Sequence, residues 1–188
     1  MADTSSKQRE AKKAFFEVKA PLTSTHIVLY ASSPAELEGR IVKLDLTRSL
    51  RGKSMELRMR VHAEGNELHA EPEALELMGS YLRRMIRKGS DYVEDSFEAT
   101  CKDGKVIVKP FLVTRKKVPR SLRHALRTAA REHLLRHITV RNAKELFSEL
   151  LANKIQRELA QKLKKIYPLS LCEVRVFEVV GRKKEEKK

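Results

Sequence analysis

The sequence predicts an α+β fold in which antiparallel strands are accompanied by about four helices. Three observations predict it. Residues 55–61 alternate strictly, with Met55, Leu57, Met59 and Val61 on one side and Glu56, Arg58 and Arg60 on the other, the pattern of a strand with one covered and one wet face. Asp103-Gly104 lies between two β-rich runs, which is a strong short-range hairpin signal. Later segments switch to helical spacing, with Ile155, Leu159, Leu163 and Ile166 on one face.

In chain order, residues 1–14 are polar and mixed in charge and are expected to form a disordered basic tail that orders only on a partner. Residues 15–180 are expected to form a single α+β domain. Phe15 to Pro21 is a short apolar anchor ended by a proline, and His26 to Tyr30 is extended until Ser32-Ser33-Pro34 breaks it. Gly39 to Leu46 reads as a strand with Val42, Leu44 and Leu46 on one face. A basic loop at 47–54 leads into the alternating strand, and Gly65-Asn66 turns the chain.

Pro72 is expected to open a helix. Glu71, Glu73 and Glu76 stand in its first turns, Arg83, Arg84, Arg87 and Lys88 in its last, and Gly89 ends it, the charge order that a helix dipole favours. Residues 91–102 and 105–114 are two strands joined across Lys102 to Lys105. Asn142 with Glu145 is a capping-box start for a helix carrying Leu146, Phe147, Leu150 and Leu151. A last helix follows and Tyr167-Pro168 stops it. Residues 171–180 read as a well-covered closing strand, and 181–188 as a charged, disordered tail.

The chemistry concentrates in one stretch. Pro119 suits the start of a helix, and Arg120, Arg123, Arg127 and Arg131 then recur at spacings of three, four and four. On a helical wheel they share an arc of roughly 80°, and Leu122, Ala125, Leu126 and Ala129 lie opposite. No acid interleaves the row, so its guanidinium groups repel one another unless something anionic covers them. From Lys105 to Arg136 there are ten Lys or Arg and one acid, Glu132, a net of +9 against +15 for the whole chain. Such clustering, with a sequence pI near 10.0, is the electrostatic footprint of a nucleic-acid binder. A membrane-surface helix would want Trp or Phe on its apolar face, and this one offers only Leu and Ala.

Other chemistries find little support. Cys101 and Cys172 make neither a disulfide framework nor a zinc site and read as small core residues. Gly52-Lys53-Ser54 echoes a phosphate-binding loop, but Thr47 stands where that pattern needs its first glycine. His133 and His137 lack the glutamate that must follow the first histidine of a metalloprotease helix, Leu134 being there. No catalytic constellation is recognisable, and no cofactor or metal is expected. No apolar run approaches the roughly 20 residues of a membrane span, and the N-terminus has no apolar signal core, so the chain reads as cytoplasmic.

Several segments together resemble the archaeal and eukaryotic small-ribosomal-subunit protein family called S-three-a-e, or e-S-one. Phe16-Glu17-Val18-Lys19-Ala20-Pro21 is similar to its aromatic-acid-aliphatic-Lys-Ala-Pro motif, and Gly39-Arg40-Ile41 with Leu44-Asp45-Leu46 to its Gly-Arg-Val strand and leucine pair. Thr100 with Lys102-Asp103-Gly104 resembles its hairpin, and the run to Arg136 its basic strand-to-helix segment. Ile166-Tyr167-Pro168-Leu169 followed by Val174-Arg175 resembles its C-terminal signature. Phe16 replaces the usual Tyr, and residues 66–79 lack the family's usual Thr and basic residues.

The resemblance implies a curved antiparallel sheet or barrel-like core flanked by helices. It implies a structural, non-enzymatic constituent of the small ribosomal subunit, bound to ribosomal RNA on the platform near the messenger RNA exit, beside neighbouring ribosomal proteins. The alternative is a free RNA-binding assembly or translation factor. The expected RNA-binding residues are Lys12, Lys13, Lys19, Arg48, Arg51, Lys53, Arg83, Arg84, Arg87, Lys88, Arg115, Lys116, Lys117, Arg120, Arg123, Arg127 and Arg131.

Overall fold

The computed structural model describes residues 13–182, apart from 24, 51 and 66. The tail expectations for 1–12 and 183–188 lie outside the described residues. Ala14, Gly181 and Arg182, assigned to tails by the sequence reading, belong to strands.

The fold is α+β, with nine strands in a mixed sheet and four α-helices among the described residues. The strands are β1 (Ala14–Lys19), β2 (Ile27–Ala31), β3 (Ile41–Asp45), β4 (Met55–Glu64), β5 (Glu67–Leu77), β6 (Tyr92–Glu94), β7 (Phe97–Cys101), β8 (Gly104–Thr114) and β9 (Leu169–Arg182). The helices are α1 (Gly79–Met85), α2 (Arg120–Thr139), α3 (Ala143–Leu151) and α4 (Lys154–Leu163). The sheet path runs β2-β1-β5-β9-β8-β6, with β3 on β4, β4 on β5 and β7 on β8. No pairing among the described residues closes this path, so the sheet is open rather than a closed barrel. β1 pairs parallel with β5 through Val18 and Leu68.

The chain forms two compact units, residues up to 42 with 60–71, and 43–59 with 72 onward. In the first, β1 pairs antiparallel with β2 from Ala14↔Ala31 to Val18↔Ile27, and Val18, Ile27, Ala31 and Leu37 are its buried side chains from this end.

In the second unit β8 is the spine. It pairs with β6, β7 and β9, and it is apolar on both faces, with Val106, Val108, Phe111, Leu112 and Val113 each at most 1% exposed. The C-terminal strand β9 lies between β5 and β8. Consecutive Val176 and Phe177 are both buried, as an interior strand covered on two faces requires. Phe147 of α3 meets Phe177 edge-on, ring centroids 5.0 Å apart, which docks the helical layer on the sheet.

One element differs from the sequence reading. Residues 72–77 are strand, not helix, and only Gly79–Met85 coils. Leu68, Ala70, Pro72 and Ala74 are buried alternately, so period two continues through the proline. Pro72 follows the stretch paired with β1 and precedes the stretch paired with β9. The expected strand at 91–102 is two, β6 and β7, separated at Asp95-Ser96. The hairpin forms with Cys101 opposite Gly104, and the Asp103 carboxylate accepts from the Ala143 N–H at 2.9 Å, tying the turn to the start of α3. The Asn142 N–H donates to Glu145 Oε2 at 3.3 Å, as the capping-box reading expects.

Candidate nucleic-acid interface

Helix α2 docks by Leu126, Ala130, Leu134 and Ile138, each at most 2% exposed. The buried stripe is therefore rotated from the expected one. Of the four residues predicted to face inward only Leu126 is buried; Leu122 and Ala129 are half-buried and Ala125 is exposed. Pro119 precedes the first helical residue, as its N-cap. Arg120, Arg127 and Arg131 are exposed and Arg123 is half-buried.

Tertiary structure supplies the acids that the row itself lacks. Arg127 lines a cleft of about 560 Å³ together with Glu94, Asp95, Ser96, Lys109, Pro110 and Arg175. In it Arg175 Nη1 lies 3.3 Å from Glu94 Oε1. The Arg131 guanidinium sits 5.5 Å from the Phe97 ring centroid, a cation–π contact. The C-terminal half of the arginine row is thus partly engaged by β6, β7 and the turn between them.

The loop after β8 is different. Arg115, Lys116 and Lys117 are all exposed, and the backbone beneath them is fixed. The Val118 N–H donates to Asp91 Oδ2 at 2.9 Å, and the Thr114 N–H donates to the Asp91 carbonyl at 2.8 Å. The buried Thr114 hydroxyl accepts from the Asp91 N–H at 3.0 Å and lies 2.7 Å from the Lys116 carbonyl. Three cations are therefore presented from a braced turn, which lowers the ordering cost of binding a polyanion.

Register brings more cations to the same end. Tyr92 pairs with Val113 and Thr114 with Leu169, both antiparallel. The chain leading into β6 (Arg87, Lys88), the chain leaving β8 (Arg115 to Lys117) and the chain leading into β9 (Lys164, Lys165) thus emerge together. All seven side chains are exposed. The acid nearest them in sequence, Asp91, has its carboxylate engaged by Val118. Lys164 and Lys165 are absent from the sequence-derived set; the acid-free run 159–168 is the signal that could have found them.

The remaining predicted residues are dispersed. Arg83 and Arg84 are exposed on α1, with the Arg84 guanidinium 5.9 Å from the Tyr81 ring centroid. Arg48 is exposed in the loop after β3. Lys13 and Lys19 are exposed in the first unit, and Lys19 pairs with Glu67 at 3.0 Å. Lys53 corrects the sequence reading: it is 8% exposed, and its ammonium lies 2.6 Å from Glu173 Oε2 and 2.7 Å from Asn153 Oδ1. It is a structural cation and offers nothing to a ligand. Lys12 and Arg51 lie outside the described residues.

His133 and His137 pack between α2 and its helical neighbours, rings 6.1 Å apart. His137 Nε2 lies 3.5 Å from Glu158 and 3.7 Å from Glu149. Burial pushes both imidazoles below their ordinary range; Lys162 adds to this at His133 and Arg141 at His137, while Glu158 opposes at both. Cys101 is buried and its thiol donates to the Gly104 carbonyl at 3.2 Å. Burial, then Glu173, pushes the Cys172 thiol up to about 12, far from a reactive thiolate. Among the described residues no three His, Cys, Asp or Glu side chains group so as to hold a metal ion, and no helix is long and apolar enough to cross a membrane.

Comparison with known proteins adds a second kind of observation. Residues 3–183 match the model of the Ribosomal S3Ae family. The chain is 28% identical over 176 residues to the small ribosomal subunit protein eS1 of Desulfurococcus amylolyticus, spanning 89% of this chain and 83% of that one. It is 25% identical over 181 residues to the protein of the same name from Nanoarchaeum equitans, spanning 92% and 91%. It is 31% identical over 121 residues to that of Saccharolobus islandicus, spanning 64% of this chain and 58% of that one.

Proposed function

The chain belongs to the Ribosomal S3Ae family, and from that premise we propose that it is a structural, non-catalytic constituent of the small ribosomal subunit. Its partners in this reading are small-subunit ribosomal RNA and neighbouring proteins, and its place is the subunit platform near the messenger RNA exit, in the cytoplasm. Residues 15–180 act there as one RNA-binding domain.

The observation that carries the RNA-binding part is the braced turn Arg115 to Lys117 and the exposed cations that register gathers around it, the Asp91 carboxylate there being engaged by the Val118 N–H. Phosphate contacts position a protein on RNA without reading sequence, and a cluster of exposed cations on a rigid frame suits folded RNA recognised by shape. Arg120, Arg123, Arg127 and Arg131 extend this surface along α2. Arg87, Lys88, Lys164 and Lys165 flank it.

The test is a density-gradient profile of the endogenous protein. A subunit constituent sediments with small subunits in stoichiometric amount through a high-salt wash. A free RNA-binding factor, the alternative, is stripped by the wash and stays at the top.

A further inference from the structure

A second surface, on different elements, has the composition of a stacking platform. Strands β1 and β2 alternate. Their inner face holds Val18, Ile27 and Ala31, each at most 5% exposed. Their outer face carries Phe15, Val28 and Tyr30, exposed at 77%, 56% and 52%. Phe15 and Tyr30 are directly opposed in the ladder, with ring centroids 5.0 Å apart and planes inclined by 45°. The Lys13 ammonium lies 5.9 Å from the Tyr30 centroid. Two adjacent rings left in water forfeit a large burial gain, and these rings are not the fringe of the core, because the core lies on the other face.

We propose that Phe15 and Tyr30 form a stacking site for unpaired RNA bases, with Lys13 as the adjoining phosphate contact. Charge argues for RNA over an apolar protein partner. The residues leading into the ring pair, 7–13, hold four Lys or Arg and one Glu. Two acids of this unit are already engaged, Glu17 by His26 at 2.9 Å and Glu67 by Lys19 at 3.0 Å. Base–aromatic stacking tolerates any sequence, because every base presents a π-face. The patch is small, two rings and a valine, which fits one or two splayed bases rather than a protein interface core. The site shares no residue with the cationic end of the sheet, so it stands or falls separately from it.

The protein has no tryptophan, so Phe15→Trp installs a single reporter at the site. The probes are a single-stranded oligoadenylate of about twelve nucleotides, within the range such platforms cover, and a blunt RNA duplex of equal length. Phe15→Trp is expected to bind the single strand as wild type does, with its emission quenched, and to show little quenching by the duplex. Phe15→Ala with Tyr30→Ala is expected to lose about 5- to 150-fold in single-strand affinity, with no change in salt slope because no charge is removed. Lys13→Gln is expected to flatten that slope by about 0.7. Unquenched emission at saturating single strand, or wild-type affinity in the double alanine variant, would overturn the proposal. So would equal losses for strand and duplex, or emission that shifts only when small-subunit proteins are added, which would give the face to a protein partner.

Discussion

The Lys53 ammonium lies 2.6 Å from a Glu173 carboxylate oxygen, and both side chains are nearly withdrawn from water, 9% and 12% exposed. Asn153, held at φ 57° at the start of α4, accepts from the same ammonium at 2.7 Å. One lysine therefore ties the loop after β3 to the α3–α4 junction and to β9. Removing one partner of such a pair leaves an uncompensated buried charge. Lys53→Met is expected to cost about 3–5 kcal/mol in chemical denaturation while leaving the salt dependence of RNA binding unchanged. Burial raises the Glu173 carboxyl above its ordinary range and Lys53 holds it back. Without the lysine the folded state keeps a proton that the unfolded chain has released, so stability falls as pH rises. The deficit of Lys53→Met should accordingly be smaller at about pH 5 than at about pH 8. A deficit that is larger at low pH would show that the carboxylate has found another cation.

The two cationic surfaces of the second unit should differ. Each duplex phosphate that a variant no longer neutralises flattens the log–log salt slope by about 0.9. Arg115→Gln, Lys116→Gln and Lys117→Gln together are expected to flatten it by about two to three. Arg123→Gln with Arg127→Gln is expected to flatten it by less per residue, because Arg123 is half-buried and Arg127 shares its cleft with Glu94 and Asp95. Salt titration of binding to a small-subunit RNA fragment reads both. Equal slopes in wild type and the loop triple variant would remove the braced turn from the interface.

Acid should weaken the helical layer. The folded-state values of His133 and His137 are depressed, chiefly by burial. The unfolded chain then takes up protons first as pH falls. Their contribution is complete above about pH 6.5 and drains away as pH drops through the folded values. Melting temperature is expected to fall more between about pH 7.5 and 5.5 in wild type than in His133→Gln with His137→Gln. Parallel pH profiles would mean that Glu149 and Glu158 cancel the burial cost.

Core substitutions locate the docking stripe. Leu126 and Leu159 are both 0% exposed, so Leu→Ala at either should cost about 2–5 kcal/mol. Leu122 is only half-buried, and Leu122→Ala should cost less than Leu126→Ala. A reversed order in denaturant titration would return α2 to the orientation that the helical wheel alone suggests.

Much of this was legible in the chain before any coordinate. The alternation of Met55 to Val61, the turn before Gly104, the helical spacing of Leu159 and Leu163 and the start of α3 at Asn142 are local signals, and local backbone and side-chain physics reproduces them. The resemblance to one family was carried by motifs spread from Phe16 to Arg175. The cationic character of Arg115 to Arg131 was equally plain, since charge is a property of composition.

What sequence could not decide depends on neighbours distant in the chain. Residues 72–77 carry helix-like charge order, yet pairing with β9 at Ala74 to Glu76 makes them strand, because ladder hydrogen bonds and burial outweigh a weak propensity. Lys53 looked like one more cation in a basic loop until Glu173, 120 residues away, was folded against it. The arginine row on α2 looked free of acids until β6 and the turn after it brought Glu94 and Asp95 to the cleft that Arg127 lines. The cleanest cationic surface, where the chains leading into β6 and β9 meet the chain leaving β8, exists only through antiparallel register. Sequence sets how much charge the protein carries, and tertiary structure decides which charges are compensated and which remain for a partner.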